Sequence, residues 1–386
     1  MPFASTSSTL LDHADPVSEA AERIADALGA EPDLCLAFAS HHHAAAFDSL
    51  GEQIQSRLNP GTLLGCSGES IVATGCEYEE TPAISMWAAV LPGTQITPFD
   101  LQFERSPDGG VLLGLPDSLP EQWPAGSTLL LLGEPYTFPT DWLLERMNAE
   151  QPGVPVLGGN ASGASRPGEH VLWRNETAHR EGAVAALLHG GSRVRSVVSQ
   201  GCRPIGRPMV ITKAEGQAIH ELGGKPSLLQ LHGVLEALPP EDRQLLRYGL
   251  HLGRVVDEYR ETFRAGDFLI RNVMGMDQAA GALVIGDFFR PGQTVQFHLR
   301  DAMSASADLR SMLGEAAAQG APEAALLFSC NGRGTRMFPE PHHDARSIQS
   351  VFGDIPLAGL FAAGEAGPIG GKNFLHGMTA SVVLFG

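Results

Sequence analysis

The sequence predicts a mixed α/β protein, with largely antiparallel sheets in a layered sandwich flanked by helices and repeated strand–helix–strand–strand units. Three observations predict it. A short apolar strand, a polar loop, an amphipathic helix, a second strand ending in a small-residue motif and a closing strand recur three times. Glycine supplies 45 of 386 residues while aromatics make up 6 %, a composition suited to tight turns and close backbone approaches. Consecutive strands joined by short turns imply antiparallel pairing, so the sheets are mixed and not doubly wound.

Taken in order, residues 1–14 read as a loose tail. A helix follows over 16–28, with Asp15 as N-cap and Gly29 as stop. The first copy has a strand at 34–39 and a helix with Phe47, Leu50, Ile54 and Leu58 on one face. A strand at 62–64 then runs into Gly65-Cys66-Ser67-Gly68, and 84–90 closes the copy. The second has a strand at 129–132, a helix carrying Leu143, Leu144 and Met147, a strand at 154–157 running into Gly158-Gly159-Asn160, and a closing strand at 183–188. The third has a strand at 325–329, a helix with Ile348, Val351 and Phe352, a strand at 357–361 running into Ala363-Gly364-Glu365, and a last strand at 381–385. From the end of each first strand to its small motif is 26, 25 and 34 residues (Ser40 to Cys66, Gly133 to Gly158, Ser329 to Ala363). Between the second and third copies the chain is strand-rich. Strands are expected at 194–199, 209–213, 217–222, 267–273, 282–285 and 294–299, with a hairpin signal at Ala214-Glu215-Gly216. Helices are expected at 227–238 and around Leu309, Met312 and Leu313, and 239–242 is the best candidate domain boundary.

Acidic residues exceed basic ones by 44 − 26 = 18, which disfavours broad electrostatic binding to nucleic acid or anionic membrane. No apolar stretch approaches the ~18–20 residues of a membrane span, and no secretory signal opens the chain. Five cysteines at 35, 66, 76, 202 and 330, with no CxxC pair, point away from disulfides and zinc and towards a reducing cytoplasm. No cofactor motif is present: there is no GxSxG, HExxH, GxxxxGK[ST] or strand-linked GxGxxG. The runs His41-His42-His43 and His342-His343 read as solvated loop histidines, since adjacent histidines cannot all face one metal.

The informative segments are short and bracketed by glycine. Cys66 and Ser67 sit in one, either as ligand contacts or as a tight turn with a buried thiol. Arg203 in Gly201-Cys202-Arg203-Pro204-Ile205-Gly206 suits either a bidentate carboxylate contact or a structural ion pair. The segment Ser329-Cys330-Asn331-Gly332-Arg333-Gly334 brings a thiol, a carboxamide and a guanidinium to a strand end, where α/β folds often place ligands. Arg333 there would favour a Cys330 thiolate. Glu365, in the glycine-rich loop 364–370, suits an ammonium group or caps a turn, and Asn373 and His376 follow. Arg300 and Asp301, after Gln296-Phe297-His298-Leu299, read as a structural pair and a helix cap.

Taken together, the glycine–cysteine–serine turn, the Gly201–Gly206 segment, Phe268-Leu269-Ile270-Arg271, Phe297-His298-Leu299-Arg300-Asp301, Phe328–Gly334 and Gly364-Glu365…Gly367-Pro368 resemble the FIST domains (F-box and intracellular signal transduction). The resemblance divides the chain into a tail and helix at 1–32, a FIST N-terminal domain at 33–224 and a FIST C-terminal domain at 225–386. It implies a sensory, small-ligand-binding module of signalling proteins, with amino acids as proposed ligands. In eukaryotes such domains also follow an F-box. The two halves fill the chain, so a separate signalling partner is expected to carry the output.

Three functions compete. A sensor would bind an amino-acid-like ligand through Cys66, Ser67, Asn160, Arg203, Cys330, Asn331, Arg333, Glu365, Asn373 and His376. A cysteine-dependent enzyme would use Cys330 as nucleophile and His376 as base. A protein-interaction adaptor would need neither. The sensor is the preferred expectation: a cation for carboxylate, an anion for ammonium and backbone donors are all present. If the three copies surround one axis, Cys66, Asn160 and Glu365 should converge beside Cys330 and Arg333.

Overall fold

A computed structural model describes residues 2–10, 16–106, 109–260, 262–263 and 265–386. The chain divides into two compact units. The first comprises Met1–Val198, Leu309–Leu375 and Thr379–Gly386; the second comprises Ser199–Asp308 and His376–Met378.

The first unit contains the three copies, and each builds one mixed sheet around a central parallel pair. The strand Leu34–Ser40 is buried along its whole length and pairs in parallel with Thr62–Gly68. The crossover between them is the helix Phe47–Leu58, which buries Phe47, Leu50, Ile54 and Leu58 and stops at Asn59 in the left-handed region. The strand Ile84–Ala89 returns antiparallel on the other side of Leu34–Ser40. The second copy repeats this with Thr128–Gly133, Val156–Asn160 and Ala183–Gly190. The third does so with Ala324–Cys330, Leu357–Ala362 and Thr379–Phe385.

After its second parallel strand, each copy extends an arm into the sheet of another copy. The first copy's arm, Ile71–Ala73 and Cys76–Tyr78, pairs antiparallel with Leu357–Ala362 of the third. The second copy's arm, Leu172–Arg174 and Thr177–His179, pairs with Thr62–Gly68 of the first. The third copy's arm, Glu365–Ile369 and Lys372–His376, joins Val156–Asn160 of the second. This cyclic exchange makes the three copies one unit. Their inner faces supply a single core containing Phe38 and Cys66 from the first, Leu132 and Leu157 from the second, and Phe328, Leu360 and Phe385 from the third. Three further apolar layers lie under the helices of the individual copies. Burying both faces explains why these strands read as continuous apolar runs.

The second unit is antiparallel. Pairing runs from Cys202–Glu215 through Thr294–Arg300, Leu250–Val255, Phe268–Asp277 and Ala282–Ile285 to Ala218–Leu222, which pairs back to Cys202–Glu215 and closes the ring. Its interior holds Leu252, Leu283, Val295, Phe297 and Leu299, packed on Leu228 and Leu231 of the helix Ser227–Glu236.

Several local expectations are corrected. The tail contains a strand, Phe3–Ser8, paired with Ile84–Ala89 and anchored by Phe3 and Ala4 in the core. The expected N-cap Asp15 lies outside the described residues. His41–Ala46 forms a 3-10 helix that buries His43, so the histidine run is not a fully solvated loop. Gly65-Cys66-Ser67-Gly68 is strand interior, not a turn, and the loop at 364–370 is mostly the strand Glu365–Ile369. Residues 239–242 lie inside the second unit, at the start of the helix Pro240–Leu245.

Candidate functional site

The ends of the second parallel strands meet in the first unit. Ser162 N–H donates to the Ser67 carbonyl at 3.2 Å, and Ser162 Oγ donates to the Phe361 carbonyl. Asn160 N–H donates to the Gly364 carbonyl at 2.9 Å, and Phe361 N–H to the Ser70 carbonyl at 2.9 Å. Gly159 stands opposite Glu365 in register. The small residues are needed because three backbones approach closely here: a Cβ at Gly159 would come within 2.9 Å of the Gly364 carbonyl oxygen.

Beside this junction, at the end of Ala324–Cys330, lies a buried cluster of charge. Arg333 is fully buried and grips Asp344 with two hydrogen bonds, Nε to Oδ2 and Nη2 to Oδ1, both 2.7 Å. Ser329 Oγ donates to Asp344 Oδ2 at 2.8 Å, and His343 Nδ1 lies 2.8 Å from Asp344 Oδ1. The guanidinium rests over the Phe338 ring, 5.1 Å from its centroid, and Phe338 stacks on His343. Burial would raise the Asp344 pKa, but the charge and hydrogen bonds of Arg333 outweigh it and hold the carboxyl well below its usual range.

Two more carboxyls face this pair. Glu77, on the first copy's arm, accepts the amide hydrogens of Asp344 and Ala345 on Oε1 at 2.9 and 2.8 Å. It thereby caps the helix His343–Phe352. Burial, reinforced by Asp344, pushes its pKa up. Glu365 is fully buried, and its Oε2 accepts the Thr379 hydroxyl at 2.7 Å and the Thr379 amide at 3.2 Å. Burial pushes Glu365 up to about 8, against the opposing Thr379 hydrogen bonds and the charge of Arg333. Three buried polar atoms in the cluster have no hydrogen-bond partner: Arg333 Nη1, Glu77 Oε2 and Glu365 Oε1.

The other sequence candidates divide by environment. Cys330 is buried beside Arg333, whose charge interacts with it, and its Sγ accepts the Gly332 amide at 3.5 Å. Asn331 is half-buried with Oδ1 3.9 Å from the Cys330 thiol. Arg333 is not an open cation, because Asp344 occupies two of its three nitrogens. Cys66 is core, and burial pushes its thiol pKa up. Ser67 Oγ accepts the Val171 amide at 3.1 Å, and Asn160 Oδ1 accepts the Thr140 hydroxyl at 2.7 Å. Asn373 braces two strands, accepting from Val156 N–H at 2.8 Å and donating to the Val154 carbonyl at 2.9 Å. These side chains serve the framework of the junction. His376 is buried and groups with the second unit, whereas Cys330 belongs to the first.

Arg203, in the second unit, bridges Asp301 at 2.9 Å and Asp242 at 2.6 Å. It borders a cleft of about 460 Å³ with Ile205, Met209, Val234 and Leu238. Asp301 caps the following helix through the Met303 amide at 3.0 Å, as expected, but its arginine partner is Arg203 and not Arg300. His298 and His251 stand opposite each other on neighbouring strands, and burial lowers both to about 4.

Sequence reasoning missed Glu77, Asp344 and the pair Glu134–His170. Asp344 followed two histidines in what looked like an ordinary helix start, where an acid is common. Glu77 carried only a weak signal, an acid at an inward position of a three-residue strand. Glu134 and His170 are both buried and 2.7 Å apart, 36 positions apart in the chain. Among the described residues no group of three or more His, Cys, Asp or Glu side chains is arranged to hold a metal ion. No described helix is long and apolar enough to cross a membrane.

The chain resembles known proteins along nearly all of its length. Residues 33–225 match the FIST N domain and residues 231–368 the FIST C domain. The uncharacterized protein Rv0628c of Mycobacterium tuberculosis is 42 % identical over 374 residues, covering 96 % of this chain and 95 % of the relative. The uncharacterized protein Mb0898c of Mycobacterium bovis is 42 % identical over 370 residues, covering 95 % and 94 %. With both domains matched in order around the junction and its charged cluster, the chain belongs to the FIST family of signal-transduction sensor domains.

Proposed function

We propose that the protein binds a small zwitterion of the amino-acid class at Arg333 and Glu365, for a cytoplasmic signalling partner to read. One observation carries this reading. Arg333 Nη1 is a buried donor and Glu365 Oε1 a buried carboxyl oxygen, each without a hydrogen bond, within electrostatic reach of one another and not bonded together. Leaving such groups unpaired costs about 1–3 kcal/mol each, more where charge is involved. A ligand carboxylate on Nη1 and a ligand ammonium on Oε1 would satisfy both. Glu365 is kept neutral by burial until such a cation arrives, so binding should release its proton.

Thermal melting in the presence of each common L-amino acid tests the reading, with the matching carboxylic acids and amines as controls. At least one amino acid should raise the melting temperature, and analogues lacking either charged group should not. Glu365→Gln should weaken that ligand ten- to a hundredfold, or about 1.4–2.8 kcal/mol. No shift with any amino acid would remove the reading.

A partner-docking role has its own support in the second unit, where Met274, Met276 and Phe288 are 67 %, 50 % and 72 % exposed. A stable complex that dissociates on replacing all three with serine, with no small-molecule effect, would favour it.

A further inference from the structure

The Arg333 cluster is closed, and the segment that closes it comes from the first copy of the repeat. The outer strand of that copy's arm, Cys76–Tyr78, followed by Glu79, lies along the loop and helix that carry Arg333 and Asp344. Glu77 caps the helix His343–Phe352 through two amides. Glu79 accepts the Thr335 hydroxyl at 2.7 Å and the Thr335 amide at 3.0 Å. Glu69, at the root of the arm, pairs with Arg336. His342 Nδ1 accepts the Glu77 amide at 2.9 Å. Gly334 sits at φ +59°, and the Glu79 carboxylate lies where a Cβ would be, 2.5 Å from that position.

The internal repeat supplies a control. The other two arms meet their neighbouring copies through neutral buried or half-buried contacts and, after the second arm, an exposed ion pair between Arg180 and Asp48. Trp173 Nε1 donates to the Phe47 carbonyl at 2.7 Å. Asn148 and Asn373 exchange two hydrogen bonds, at 2.9 and 2.7 Å. The architecture therefore does not require a cluster of carboxylates at an arm joint. Among the described residues the joint over Arg333 concentrates three of them; the contacts of Glu69 and Glu79 are exposed and exchange readily with water, whereas Glu77 is buried.

The outer strand is also the less paired part of the arm. The inner strand Ile71–Ala73 is buried and paired on both sides. The outer strand has only three residues, forms the edge of its sheet, and is bounded by Gly75 at φ +67° and Glu80 at φ +52°. We propose that Cys76–Glu79 is a gate that opens the Arg333 cluster, with the exposed Glu69 and Glu79 contacts as its latch. This rests on the ligand reading for what enters, but the gate is tested without ligand.

The test reads alkylation of Cys330 by iodoacetamide, located by peptide mass spectrometry, in the parent protein and in a Glu69→Ala/Glu79→Ala variant. Cys330 in the variant should react at least tenfold faster, while buried Cys35 and Cys66 stay slow. Unchanged Cys330 reactivity would overturn the gate. So would parallel acceleration of all three thiols, which reports global unfolding. Should the variant not fold, amide hydrogen exchange of the parent decides: residues 76–80 and 331–346 should exchange together and ahead of the inner strand 71–73. Exchange of either segment only with the whole first unit would overturn the proposal. A gate that fails these tests leaves amino-acid melting shifts untouched. A failed melting screen leaves the thiol and exchange results standing.

Discussion

Arg333 and Asp344 are joined by two hydrogen bonds of 2.7 Å with both side chains out of contact with water. Such a pair recovers its desolvation only while both partners and their further hydrogen bonds are present. Ser329 and His343 supply those further bonds on Asp344. The pair is thus the rigid floor of the cluster, and Glu365 and Glu77 are the groups left to respond.

Removing one partner should be costly. Arg333→Ala and Asp344→Ala are each expected to destabilise the protein by about 3–5 kcal/mol, because each strands a buried opposite charge. The double variant should lose less than the sum. Urea denaturation of the three variants measures this, and losses below about 1 kcal/mol would show that the pair is not buried as described.

Glu365 predicts a pH dependence. Its folded pKa of about 8 exceeds its ordinary 4.5, so between these values the native state holds a proton the unfolded chain has released. Its contribution to stability is complete below about pH 4.5 and is lost as pH rises through about 8. Glu77 acts in the same direction. Glu365→Gln should flatten this slope and, above pH 8, stabilise the protein by about 2–5 kcal/mol relative to the parent. Denaturation curves at pH 6 and pH 9 distinguish this from a loss of equal size at both.

Glu134 and His170 form a second buried link in the first unit. Glu134 Oε2 also accepts the Tyr136 amide, the Thr137 amide and the Thr137 hydroxyl, at 3.0, 2.8 and 2.8 Å. His170 Nε2 accepts the Ala164 amide at 3.2 Å, which makes Nδ1 the donor to Glu134. His170→Phe should cost about 1.5–3 kcal/mol, the worth of a hydrogen bond to a charged group. Chemical denaturation reads the change, and a neutral substitution would mean that the junction tolerates losing the link.

Gly334 is placed to report on both fold and gate. Gly334→Ala introduces the left-handed penalty of about 1–2 kcal/mol and pushes the Glu79 carboxylate off Thr335. The melting temperature should fall modestly, and Cys330 should become more reactive towards iodoacetamide. A variant as stable and as unreactive as the parent would show that Glu79 reaches Thr335 by another route.

The sequence alone determined the mixed sheets, the three strand–helix–strand copies and the family. These are written in local periodicity: apolar runs buried on both faces, helices with one apolar stripe, and small residues where backbones touch. It also singled out Arg333, Cys330 and Glu365, because unusual residues at strand ends stand out locally. Their environment was not legible. Arg333 looked like an open cation until tertiary structure placed Asp344 against it. Glu365 looked like a loop carboxylate until burial in a strand kept its proton on. Glu77 joined the cluster across 267 residues because the first copy's arm completes the third copy's sheet. Which copy receives which arm is decided by strand pairing between distant segments. Pairing depends on backbone hydrogen bonds that every residue type except proline can make in full, so it leaves little trace in the sequence.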